Sequence, residues 1–126
     1  MANEIFVFGS NEAGIHGAGA AKFAVKHHGA KYGQGVGLQG NSYAIPTKDH
    51  NIQTLPLDRI KEYVDKFISF AGICPNMVFR VTAIGCGLAG YTPEQIAPMF
   101  AHAPVNCILP FSFLYVTKSY HYGWKS

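Results

Sequence analysis

With 126 residues, the chain has room for one domain and little more. Charged residues make up 13% and hydrophobic ones 48%, a balance that excludes a disordered chain and predicts a buried core. A net charge of +3 is too small to imply nucleic-acid binding and suits an anionic small ligand.

The chain opens on Met-Ala-Asn-Glu-Ile-Phe with no basic or long apolar leader, so no signal peptide is expected. Ile5–Phe8 is a short apolar run that predicts a buried strand stopping at Gly9. A loop of small residues follows to Gly19. Residues 18–28 predict a helix, with Phe23 buried, Lys22 and Lys26 exposed and Gly29 as the stop. Residues 30–41 carry four glycines and read as a flexible loop or irregular hairpin. Ser42–Ile45 predicts a second strand, ended by Pro46, and residues 47–56 a polar loop.

Leu57–Ala71 has the strongest helical periodicity, with Leu57, Ile60, Val64, Phe67 and Ile68 on one face. Met77–Ile84 predicts a strand running into Gly85–Gly90. Thr92-Pro-Glu-Gln95 reads as a capping box with Pro at the first helical position, and Pro98 divides that helix into two short pieces. Val105–Leu109 is the last predicted strand. The segment 110–126 is an aromatic extension with no assigned structure. Strands alternating with helices imply an α/β domain spanning 1–126, with a largely parallel sheet covered on both faces. The cysteines Cys74, Cys86 and Cys107 form no CxxC pair, which suits reduced thiols in a cytoplasm. No cofactor is expected. No metal site is expected either, since His27 and His28 are adjacent rather than i, i+4.

Ligands of such sheets bind beyond the C-terminal strand ends, where both glycine-rich loops are predicted to lie. Glycine lets backbone N–H donors come close to a phosphate, and a following helix adds donors and a positive dipole end. In the first loop the candidate residues are Gly17, Ala18, Gly19 and Ala20, at the start of a helix. In the second they are Gly85, Cys86 and Gly87, then Leu88, Ala89 and Gly90. Two such loops on one sheet suggest a bound group with two phosphates; the plainer alternative is that these glycines only make turns. A Walker A loop is excluded because Ala20-Ala21, not Lys-Ser/Thr, follows Gly19.

Three segments carry a family likeness: His16-Gly-Ala-Gly-Ala-Ala21, Tyr43-Ala-Ile-Pro-Thr-Lys48 and Ile84-Gly-Cys-Gly-Leu88. In order and approximate spacing they resemble the macro domain superfamily, and within it the branch of the terminal ADP-ribose protein glycohydrolase. The chain is also similar to short macro-like proteins of bacteria and their phages. The resemblance implies a three-layer macro-like fold with a mixed, largely parallel sheet flanked by helices. It implies ADP-ribose as ligand, ADP-ribosylated protein as a partner, and hydrolysis of an ADP-ribosyl ester with Lys48 as nucleophile. The branch's assisting aspartate is replaced by Ala89.

Lysine attacks only in its neutral form, and the chemistry wants an acid/base beside it. Asp49, Asp58, His16 and His50 are the substitutes considered for the missing carboxylate. Lys48 has a plainer reading as a loop lysine that pairs with an acid or contacts phosphate. Asn11 is a candidate for a ribose hydroxyl or for a turn, and His16 for a phosphate or an incidental place. Cys86 reads as a packed residue rather than a reactive thiol. Tyr91 or an aromatic of the tail is a candidate for stacking on adenine, with a core or interface role as the plainer reading. The tail has three readings: covering the core, building a subunit interface or closing the cleft. Three functions are consistent with these residues: an ADP-ribose-binding domain with hydrolase activity, a non-catalytic reader or sequestering protein for an ADP-ribose-derived signal, and, last, a nucleic-acid binder using the basic aromatic tail.

Overall fold

A computed structural model describes residues 3–126. Met1 and Ala2, and with them the leaderless start expected of the sequence, lie outside the described residues. The protein is an α/β fold. Its strands are β1 (Asn3–Asn11), β2 (Gly37–Gln39), β3 (Ser42–Lys48), β4 (Met77–Val81), β5 (Cys107–Pro110) and β6 (Gly123–Trp124). The helices are α1 (Gly19–His27), α2 (Leu57–Gly72), α3 (Pro93–Ile96) and α4 (Phe111–Thr117), and a 3₁₀ turn at Ala97–Phe100 follows α3. The sheet order is β2-β3-β1-β4-β5-β6, and every pairing is parallel except β2 with β3.

The sheet is covered on both faces, which explains why β1 reads as an unbroken apolar run. Ile5 and Val7 point into the larger core with Ile60, Val64 and Phe67 of α2, and with Phe79, Phe100 and Phe113. Phe6 and Phe8 point to the other side, where α1 contributes only Ala21 and Ala24. Within the larger core Phe67 meets Phe79 edge to face at 5.4 Å and Tyr43 at 5.0 Å. α2 follows its apolar periodicity, with Ile60, Val64, Phe67 and Ala71 buried. α3 starts at the expected box, where Gln95 Oε1 accepts the Thr92 N–H at 3.0 Å.

Several boundaries differ from expectation for identifiable reasons. β1 continues through Gly9 to Asn11, because β3 runs alongside and pairs Gly9 with Ile45. β3 passes through Pro46 instead of stopping there. Pro46 lies beyond the reach of β2, whose last partner is Ala44, and opposite Ser10, just before a register shift. Its missing donor is therefore tolerated at an open edge. β4 ends at Val81, three residues early. Of the two readings of residues 30–41 the irregular hairpin holds: β2 pairs antiparallel with β3, and Gly35 packs so closely on β1 that a Cβ there would sit 2.2 Å from the Asn11 carbonyl oxygen. The aromatic tail folds into α4 and β6, neither of which was expected.

Among the described residues, no helix is long and apolar enough to cross a membrane.

Candidate functional site

β1 and β4 are neighbours whose chains leave in opposite directions. β1 leads through α1 toward β3, and β4 leads through α3 toward β5 on the other side. Such a switch point opens a crevice between the carboxyl ends of the two strands. Here it is a cleft of about 990 Å³, at the upper end of the range for small-molecule pockets. Gly17 to Ala21 form one part of its wall and Gly85 to Ala89 another. The two loops singled out in the sequence therefore line one space.

Both walls present unused donors. α1 has no side-chain N-cap and no acid in its first turn. The first N–H groups of a helix lack intrahelical partners and carry the positive end of its dipole. In the second loop the Tyr91 and Gly90 N–H groups bond back to the Gly85 and Gly87 carbonyls, at 2.9 and 3.0 Å. Among the described residues, none accepts from the N–H of Gly87, Leu88 or Ala89. A Cβ at Gly17 or Gly87 would meet nothing within 4 Å, so both positions open onto free space rather than onto packed chain.

Lys48, the last residue of β3, lines the cleft beside Ile52 and Ala89. Among the described residues no ion pair involves it. None of the candidate substitutes for the missing aspartate lines the cleft. Asp49 Oδ1 accepts the N–H groups of Asn51 and Gln53 and shapes their turn. Asp58 accepts the Arg59 N–H at the start of α2. His50 is exposed, 3.8 Å from Glu12. Glu12 itself receives the Tyr63 hydroxyl and Arg59, which ties the end of β1 to α2.

The remaining candidates divide. Asn11 lines the cleft, but its side chain closes a turn: Nδ2 donates to the Ile15 carbonyl (2.8 Å) and Oδ1 accepts the Ile15 N–H (2.9 Å). His16 is buried behind the loop, where Nε2 donates to the Gln34 carbonyl at 2.9 Å and the ring meets Phe8 edge-on. Gly90 lies just outside the lining, and the Tyr91 hydroxyl donates to the Leu55 carbonyl at 2.7 Å. Burial, with Glu94 nearby, pushes the Cys86 thiol up to about 11, and burial pushes Cys107 to about 12. Neither is a thiolate at neutral pH. Iodoacetamide at pH 7.5 should therefore leave both unmodified in the native protein and label both after unfolding, as read by intact-mass spectrometry.

An aromatic of the tail, Trp124, does line the cleft, as one reading of the tail allowed, but sequence reasoning missed the rest of its lower half. There Phe6, Phe23, His28, Arg80, Glu4 and Trp124 line a largely aromatic surface. Phe23, expected in the core, is 48% exposed because α1 seats only its alanines on the sheet. His28 stacks on Phe6 at 4.4 Å and 11°, and burial, followed by the neighbouring His27, lowers its pKa. The Arg80 guanidinium lies 5.0 Å from the Trp124 ring, whose Nε1 donates to the Val81 carbonyl. Arg80 also donates from Nε to Glu4, which holds the Glu4 carboxyl below its ordinary range. The alternation of Glu4, Phe6 and Phe8 along β1 was the available signal; their meeting with Trp124 was not, since it depends on β6. No family model matches the chain, no curated protein is detectably similar to it, and no solved structure matches its fold.

Proposed function

We propose that the cleft binds ADP-ribose or a related nucleotide through its diphosphate, and that the protein reads or sequesters this ligand without hydrolysing it. The observation that carries this reading is the meeting of two donor-rich glycine walls in one cleft at the switch point of the sheet. A diphosphate supplies acceptors for both walls at once, and the α1 dipole favours its charge. The likeness of the three segments to macro domains points to the same ligand.

The surroundings of Lys48 support the reading without hydrolysis. Ala89 supplies no carboxylate, and Asp49, Asp58, His16 and His50 are held elsewhere by their own hydrogen bonds or lie outside the cleft. A lysine without an acid/base partner lacks the proton transfers that ester cleavage wants. The presence of Lys48 in the cleft is the one observation that favours the hydrolase reading.

Titration calorimetry with ADP-ribose should give a 1:1 complex, and incubation with ester-linked ADP-ribosylated protein should release nothing. Silence across a panel of nucleoside diphosphates would overturn the binding reading. Turnover that disappears in Lys48→Ala while affinity survives would establish the enzyme instead.

A further inference from the structure

A second hollow, of about 380 Å³, lies beside the C-terminal tail, and its described lining residues include none from the glycine-walled cleft. Its size falls in the range of small-molecule pockets. Two of the residues that line it, Ser119 and His121, touch each other: His121 Nδ1 is 2.7 Å from Ser119 Oγ. The other ring nitrogen, Nε2, is 2.6 Å from the Ala103 carbonyl oxygen. A carbonyl oxygen only accepts, so in the neutral ring Nε2 carries the proton and Nδ1 keeps its lone pair. The Ser119 hydroxyl therefore donates to Nδ1. Thr117 Oγ1 lies 3.1 Å from Ser119 Oγ and 3.2 Å from the Phe113 carbonyl, and shares its one proton between them. Lys118 sets this geometry. It closes α4 in a left-handed conformation at φ 51°, donating to the Leu114 carbonyl at 2.9 Å. The turn brings Ser119 and His121 round to the chain that leads into β5.

We propose that Ser119 and His121 form a nucleophile–base pair that hydrolyses esters of small uncharged acids. A serine in hydrogen-bond reach of a histidine, whose far nitrogen is held by a third group, is the arrangement that nucleophilic catalysis needs. Ser119 Oγ attacks the ester carbonyl carbon while its proton passes to His121 Nδ1 and the C=O electron pair moves onto oxygen. The pair returns, the bond to the alcohol oxygen breaks, and that oxygen takes the proton from Nδ1. Water then attacks the acyl carbon, giving a proton to Nδ1. The bond to Oγ breaks, Oγ takes that proton back, and the acid leaves. The N–H groups of Tyr120 and His121, for which no described residue supplies an acceptor, are the donors available to the oxyanion. Ala101, Val105 and Tyr120 complete the hollow, and none of its described lining residues is an acid, a lysine or an arginine. An uncharged acyl group fits that lining. The group behind the ring is a carbonyl dipole, which stabilises an imidazolium less than a carboxylate does. The pair therefore acts on esters with good leaving groups and not on amides.

Phenylmethanesulfonyl fluoride and p-nitrophenyl acetate test this on the full chain. The sulfonyl fluoride should modify Ser119, mapped by peptide mass spectrometry, about a hundredfold or more faster than Ser112, an exposed serine of α4 without a histidine partner. p-Nitrophenyl acetate should be turned over repeatedly, and Ser119→Ala should abolish both the adduct and the turnover. His121→Gln keeps a donor for the Ala103 carbonyl but takes no proton, so it should slow labelling and turnover about a hundredfold or more. Ser119 and His121 are half-buried, and thermal melts would verify that both variants fold. The ratio of Ser119 to Ser112 labelling needs no substitution and decides the matter even where a variant unfolds. Labelling of Ser119 no faster than of Ser112, or at full rate in folded His121→Gln, would overturn the proposal. The pair would then be only a tie that fastens the tail to the chain before β5. ADP-ribose titration is read at the other cleft, so neither result bears on nucleotide binding.

Discussion

Gly87→Ala is expected to lower nucleotide affinity about fivefold or more while the thermal midpoint holds or rises slightly. A methyl group at position 87 meets no protein atom within 4 Å, so nothing in the fold resists it. The backbone there is not in the left-handed region, and replacing glycine at a compatible site typically adds about 0.4–1 kcal/mol by narrowing the unfolded ensemble. The methyl instead projects into the cleft and holds a phosphate away from the N–H groups of Gly87, Leu88 and Ala89. A lost hydrogen bond at a desolvated site costs about 1–3 kcal/mol, or roughly fivefold to a hundredfold in affinity. Gly17→Ala acts on the other wall by the same route, and the double substitution should cost more than either alone. Calorimetric titration beside thermal melts checks both halves. Binding unchanged in the double variant would mean that these walls do not touch the ligand.

Phe67→Ala should damage the molecule in the opposite way, through the fold. Phe67 is fully buried and sits where α2, the sheet and the 3₁₀ turn meet, in ring contact with Tyr43, Phe79 and Phe100. Its removal forfeits burial and leaves a cavity that the surrounding rigid rings cannot fill, a loss of about 3–5 kcal/mol. Against a total of about 5–15 kcal/mol for a domain, that is a large share. The thermal midpoint should fall by on the order of 10–20 °C, measured by circular dichroism. Phe67→Leu, which retains most of the volume, should lose much less. A drop below about 1 kcal/mol for the alanine variant would mean that the core is not organised around this ring.

The two kinds of position were unequally legible in the sequence. α2 could be read directly, because Ile60, Val64 and Phe67 recur at helical spacing and local periodicity settles a helix that covers a sheet. The glycine walls were legible because the spacing of small residues after a strand is a local signal. The tail was opaque for a physical reason. Phe-Ser-Phe-Leu-Tyr-Val-Thr is rich in aromatic and β-branched residues that favour strands, yet it forms α4 because Phe113 can bury itself against Phe100. Here tertiary contact overrides local preference. The same holds for the aromatic half of the cleft. Glu4, Arg80 and Trp124 meet only because β1, β4 and β6 are brought together by sheet order, and no spacing along the chain encodes that. Pro46 misled for a narrower reason: it marks a strand end only where its nitrogen faces a partner, and here it faces an edge.

The uneven covering of the sheet has a mechanical consequence. One jaw of the cleft belongs to a slab locked by phenylalanines; the other is a nine-residue helix that buries only two alanines, with the half-exposed Phe23 against Phe6. The compliant jaw is the one that can yield, so fluctuations in the width of the mouth belong chiefly to α1. A molecule gripping both sides acts as a rivet, and the entropy lost on capture falls mostly on that short helix. Substitutions on its sheet-facing side would thus tune grip strength from a distance, without touching anything that is gripped.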